Sequence, residues 1–160
     1  RVEKTHLPKI IEDLSFRTAK IEDIDILCEL LFELFSQEVE FTPNKEVQER
    51  ALKTIILNEN IGDIYVATIQ NRVVAMVNIL YTISTALGTK VAIFEDFIVD
   101  KNHRNQGIGE KLIDFVFEDL KAKNISRITL LTDNDNIKAH RFYEKKGFVK
   151  SSMVPFRKLI

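Results

Sequence analysis

The stretch Glu95-Asp96-Phe97-Ile98-Val99-Asp100-Lys101-Asn102-His103-Arg104-Asn105-Gln106-Gly107-Ile108-Gly109 carries an apolar strand candidate into a glycine-containing turn. An amphipathic helix follows, with Ile108, Leu112, Ile113, Phe115, Val116 and Leu120 on one face as far as about Lys123. A turn that opens a helix in this way can aim several backbone N–H groups at one point, where the helix dipole also favours negative charge. The pattern is that of a phosphate cradle. Two familiar cradles do not fit it. A dinucleotide fingerprint needs a third small residue three positions after Gly109, where Leu112 stands. A P-loop needs Gly-Lys-Ser/Thr, and Gly109-Glu110-Lys111-Leu112 does not supply it.

Upstream, Ser15–Thr18 reads as a short strand, and Ile24, Leu27, Leu31 and Leu34 recur at helical spacing within Ile21–Phe35. Pro43 and Asn44 break the chain, and Asn44 is a candidate cap for a helix from Lys45 to about Leu57. The β-rich runs Ile64–Ile69 and Val73–Tyr81 flank Gln70-Asn71-Arg72 as a hairpin, and a turn around Gly88 leads into Val91–Val99. Downstream, Ile128–Thr132 reads as a strand, Asp133–Asn136 as a turn, and the next segment as a helix stopped at Gly147. Phe148–Leu159 is expected to add a strand or hairpin, which Pro155 confines to an edge or bulge. The order β-α-α-β-β-β-α-β-α-β predicts an α/β fold: a mixed, largely antiparallel sheet with helices on both faces. Residues 1–14 are expected to be an N-terminal extension and residues 15–160 one domain.

With 160 residues, 45% hydrophobic and 29% charged, the chain has the composition of an ordinary globular domain. Lys+Arg 23 against Asp+Glu 24 leaves a net charge of -1, so no global basic field asks for nucleic acid. The single cysteine, Cys28, excludes an internal disulfide and suits a reducing compartment; its apolar surroundings predict a buried small hydrophobe. No apolar run reaches the roughly 18 residues of a membrane span, and the polar start Arg1–Lys9 does not read as a signal peptide. The cytoplasm is the default expectation. His6, His103, His140 and Cys28 share no metal-ligand spacing, so no metal is expected.

A second block, Asn136-Ile137-Lys138-Ala139-His140-Arg141-Phe142-Tyr143-Glu144-Lys145-Lys146-Gly147-Phe148, follows the glycine turn by about thirty residues. Together, Arg104-x-x-Gly107-x-Gly109 and Asn136-x-x-Ala139-x-x-Phe142-Tyr143-x-x-x-Gly147-Phe148 resemble the two signature blocks of the GNAT superfamily of acyl-CoA-dependent N-acyltransferases. The resemblance runs from about Ser15 to Phe156. It departs at Asn105, where many members carry glycine, although asparagine tolerates left-handed backbone better than most residues.

The resemblance implies a three-layer fold in which Val91–Val99 and Ile128–Thr132 splay to admit acetyl-CoA as co-substrate. Backbone groups of Phe97, Ile98 and Val99 would bond the pantetheine. Main-chain N–H groups of Arg104, Asn105, Gln106, Gly107, Ile108 and Gly109 would hold the pyrophosphate, with Lys101, His103, Lys138, His140, Arg141, Lys145 and Lys146 supplying local positive charge. Asn136, Ala139 and Tyr143 would complete the cofactor contacts. Acetylating an amine requires removal of a proton, because an alkyl amine of pKa about 10.4 is mostly charged at neutral pH. Glu95 is the candidate base, directly or through water; by strand alternation Asp96 should point to the other face. Tyr143 is the candidate acid for the departing thiolate, and the Val99 N–H could polarise the acyl carbonyl.

The expected activity is direct transfer of acetyl to the primary amine of a small molecule or amino acid. A protein N-terminus or lysine is the alternative acceptor, and a non-catalytic acyl-CoA sensor a third reading. The acceptor is expected to enter between the first two helices, the Ser84–Thr89 turn and the C-terminal strands. Glu38 and Glu40 are candidate cation attractors there, with Phe41 and Phe156 as pocket walls. In the resembling family the last strand often mediates association, so a homodimer is an open expectation, with no nucleic-acid or membrane partner.

Overall fold

The computed structural model describes residues 11–37, 42 and 44–160 of the chain. The polar start Arg1–Lys9 with His6, the acceptor-side candidates Glu38, Glu40 and Phe41, and the breaker Pro43 lie outside the described residues. Contacts divide the chain into two compact units, one up to Leu130 and one from Leu131 to Ile160.

The first unit is built on a five-stranded sheet in the order β1 (Leu14–Thr18), β2 (Gly62–Ile69), β3 (Arg72–Ser84), β4 (Thr89–Val99), β5 (Ile128–Leu130). All neighbours are antiparallel except β4 and β5, which run parallel. The β2–β3 turn is tight because Gln70 and Asn71 both adopt left-handed backbone, at φ 50° and 65°. Such a two-residue connection matches the right-handed twist of the flanking strands.

Strand alternation on β2 shows why both sheet faces are covered. Ile64 and Val66 belong to a core cluster with Leu27, Cys28, Leu30 and Leu31 of α1 (Ile24–Phe35) and Leu52 of α2 (Lys45–Ile56). Tyr65, between them, points the other way and meets Phe115 of α3 (Ile108–Ala122) edge-on at 6.2 Å. Helix α2 starts where Asn44 accepts a hydrogen bond from the Val47 N–H at 3.3 Å. Cys28 is buried, and burial raises its thiol pKa. No described helix is long and apolar enough to cross a membrane.

The parallel ladder is short. It pairs Ala92↔Ile128, Ile93↔Thr129 and Phe94↔Leu130 and stops there, while β4 continues to Val99. On its other edge β4 stays paired with β3 as far as Met76↔Ile98 and Ala75↔Val99. The pairing of the two strands thus ends at Phe94.

In the second unit α4 (Ile137–Lys145) is capped by Asn136, whose Oδ1 accepts from the Ala139 N–H at 3.1 Å. It ends with Gly147 at φ 94° and the Phe148 N–H donating to the Tyr143 carbonyl at 3.0 Å. The strand or hairpin expected over Phe148–Leu159 does not form: no residue after Lys145 is in a helix or strand. A strand needs a laddered neighbour, and Val149, Met153, Val154, Phe156 and Leu159 instead stay exposed.

Candidate active site

Between β4 and α3 the chain makes one turn of 3-10 helix, Lys101–His103, and then the loop Arg104–Gly107. Asn105 and Gly107 both take left-handed backbone, at φ 62° and 79°. Gly107 is the N-cap of α3, so no capping side chain competes for the amides of the first turn. A Cβ added to Gly107 would meet nothing within 4 Å. An anion can therefore approach the backbone here, on the positive end of a four-turn helix. Gly109 has a different reason to be glycine: a Cβ would lie 2.8 Å from Phe97 Cζ and 3.2 Å from Val99 Cγ2. It lets α3 pack closely against β4.

The basic side chains around the loop are partly spoken for. Arg104 donates through Nε to the Val99 carbonyl at 3.0 Å, and its Nη2 lies 3.9 Å from Glu33 Oε2 on α1. Its side chain bolts the loop to the end of β4, which leaves the main chain to face a ligand. His103 Nδ1 lies 2.8 Å from Asp100 Oδ2. These fittings and the shape of the loop suit a diphosphate held mainly by main-chain N–H groups.

On β4 the expected alternation fails. The ladder to β3 pairs Asn78↔Glu95 and then Met76↔Ile98, so Asp96 and Phe97 together face Val77 in a β-bulge. Asp96 takes φ 53°. Phe97 approaches the start of α3, as its closeness to Gly109 requires. Asp96 does not point away from Glu95's side, as alternation predicted, but accepts a hydrogen bond at 3.3 Å from Nδ2 of Asn78, the residue paired across from Glu95. Both carboxylates therefore neighbour Asn78. Glu95 is exposed, whereas Asp96 is half-buried, and burial raises its pKa against the lowering effect of the Asn78 bond.

The sequence reading sets Asp96 aside by strand alternation and does not consider Asn78. A lone amide in the otherwise apolar run Val73-Val74-Ala75-Met76-Val77-Asn78-Ile79-Leu80 was the available signal. Nothing in Glu95-Asp96-Phe97 announces the bulge.

In the second unit, Tyr143 packs edge-on against Phe142 and Phe148, at ring-centroid distances of 5.4 and 5.7 Å. Burial pushes its phenol up to about 12. Asn136 spends its Oδ1 on capping α4, which leaves its amide nitrogen as the donor, and Ala139 supplies the capped N–H. His140 Nε2 lies 2.9 Å from the Asp133 carbonyl oxygen. Among the described residues no group of three or more His, Cys, Asp and Glu could hold a metal ion.

The architecture is a mixed α/β one, a five-stranded sheet with a single parallel pair and helices on both faces. Residues 24–148 match the model of the acetyltransferase (GNAT) family, and the chain belongs to that family. In sequence it is 39% identical over 57 residues to the uncharacterised protein YdhI of Bacillus subtilis, 36% of each chain. The matched part is about a third of the length of its curated relatives. In fold it is similar to a possible acetyltransferase from Clostridium difficile, with TM-score 0.85 and 22% identity over 93% of this chain and 99% of that one. It is also similar to a predicted acetyltransferase from Clostridium acetobutylicum solved with acetyl-CoA, with TM-score 0.75 and 18% identity over 91% and 96% of the two chains.

Proposed function

We propose that this acetyltransferase moves the acetyl group of acetyl-CoA onto the primary amine of a small molecule or amino acid. The observation that carries the reading is the start of α3: a left-handed glycine N-cap with open space above it, preceded by a left-handed Asn105. That geometry suits the diphosphate of a coenzyme A thioester, and the acetyl-CoA in the Clostridium acetobutylicum structure supports the choice. Acetyl-CoA supplies a thioester carbon open to attack by an amine, with a thiolate as leaving group.

The main chain from Arg104 to Gly109 binds the diphosphate, and the backbone of Phe97–Val99, past the end of the β4–β5 ladder, bonds the pantetheine. Two carboxylates of β4, Glu95 and Asp96, are at hand for the amine proton. Tyr143 gives a proton to the leaving thiolate. With its phenol near 12 it remains protonated across the physiological range, the state a proton donor needs.

Thiol release from acetyl-CoA over a panel of amines, amino acids and peptides tests the reading; acetyl-CoA bound without thiol release from any of them would point to a sensor instead. Tyr143→Phe should lower turnover by about ten-fold or more while leaving acetyl-CoA affinity within two-fold. Wild-type turnover with an unchanged pH–rate profile removes Tyr143 from the reaction.

A further inference from the structure

Among the described residues two buried side-chain polar atoms lack a hydrogen-bond partner, Asn78 Oδ1 and Glu33 Oε2. The second stands beside the proposed diphosphate loop. Glu33 follows Leu30, a core residue of α1, by three positions and so lies next to it on the helix. From there its carboxylate reaches the loop after β4, where Oε2 is 3.9 Å from Arg104 Nη2. The compensation the structure shows for burying that oxygen is the guanidinium charge.

A carboxylate carries the wrong sign to be kept beside an anion site. Taken as a charge only, Glu33 repels a diphosphate and cancels the attraction of Arg104. What it supplies instead is a second fixed point. Arg104 Nε donates to the Val99 carbonyl at 3.0 Å, and Nη2 of the same planar guanidinium faces α1. Arg104 is thus held between a strand and a helix where the backbone turns from extended, at φ −75° and ψ 161°, to left-handed at Asn105, φ 62°. A non-glycine residue keeps left-handed backbone where its surroundings determine it. The turn at Asn105 in its course sets where the amides that follow it point.

Resting on the acetyl-CoA reading, we propose that Glu33 is a positioning residue for the diphosphate. Through Arg104 it holds the loop in the shape that directs main-chain N–H groups at the ligand. Helix α1 thereby serves the cofactor site by way of Arg104. The two accounts of Glu33 differ in sign. Removing a repelling charge tightens the binding of an anion, whereas removing a fixed point weakens it.

The test is the Kd of coenzyme A by isothermal titration, on variants that circular dichroism shows to be folded. Glu33→Gln keeps the size of the side chain but loses the charge that holds Arg104, so it should bind coenzyme A about five-fold more weakly than wild type. Glu33→Leu should show the same loss while its urea midpoint does not fall, because an apolar side chain replaces a buried oxygen that has no hydrogen bond. A purely structural ion pair would move the midpoint and leave the Kd alone. Once Arg104→Ala has removed the guanidinium, adding Glu33→Leu should weaken binding no further, since both act through one contact. Wild-type or tighter affinity in either Glu33 variant, or additive losses in the double variant, overturns the assignment and leaves acetyl transfer standing. Failure of the wild-type chain to bind coenzyme A overturns both.

Discussion

A Cβ on Gly109 would press to 2.8 Å from Phe97 Cζ, whereas one on Gly107 would meet open space but at φ 79°. Within one motif the two glycines are therefore needed for different reasons, and their substitutions should separate. Gly109→Ala overpacks the α3–β4 contact, so it should cost about 1–3 kcal/mol in urea unfolding and weaken acetyl-CoA binding by displacing the start of the helix. Gly107→Ala should cost about 1–2 kcal/mol through backbone strain alone. Gly107→Val should in addition abolish binding, since a branched side chain would stand where the phosphates approach; tight binding by that variant removes the loop from the site. The glycine turn that suggests a cradle is legible in the sequence. The sequence could not show that Gly109 answers to Phe97, because that closeness depends on the β4 bulge of which Phe97 is itself a part.

At the scale of elements, the far end of α3 is fastened as firmly as its start is open. Lys123, just past the helix, lies 2.9 Å from Asp63 Oδ2 at the start of β2 and 2.9 Å from Asp119 Oδ2 on α3. Tyr65 donates to Asp119, and Tyr81 donates to Asp63 at 2.5 Å. Two carboxylates thus share one ammonium and two phenols, fixing α3 to β2 and β3. Lys123→Met leaves the carboxylates without their cation and should cost about 0.5–1 kcal/mol, allowing for the screening of a partly exposed pair. The pH dependence has a definite sign. Despite the opposing effect of burial, bonds from Tyr65 and Lys123 lower the Asp119 pKa, so its contribution is present above the ordinary carboxylate range and lost as pH falls through its folded value. Burial, and then the bond to Asp119, raises Tyr65, whose contribution is complete below its usual value of 10.0 and lost as pH rises beyond it. Stability measured from pH 3 to 11 should therefore plateau near neutrality and fall at both ends, and Lys123→Met should blunt the acidic fall. An unchanged acidic limb in that variant would show that the cluster does not set it.

For the molecule as a whole, the parts legible in the sequence are those governed by local pattern: the helical periods of α1 and α3, the Gln70-Asn71 hairpin, and the glycine stop of α4. Parts set by pairing between distant segments were not. The β4 bulge arises where the register to β3 shifts by one residue between Asn78 and Met76, and periodicity along β4 cannot reveal it. Phe148–Leu159 has the composition of a strand but gains no ladder. The proposed diphosphate site at the start of α3 can be tested by ligand-induced stabilisation. A ligand bound to the native state alone stabilises by about 2.7 kcal/mol at a hundred times its Kd, which for a chain of this size means a rise in Tm of roughly 5–10 °C. Acetyl-CoA and coenzyme A should both produce a saturable shift of that order. Pantetheine, which keeps the strand-like amides but lacks the diphosphate, should produce less than a third of it. The difference should shrink as salt rises, because an exposed helix N-terminus holds an anion partly through screened charge. Equal shifts from pantetheine and coenzyme A would mean that the amides after Arg104 do not hold the diphosphate, and the ligand would then have to be sought along β4 alone.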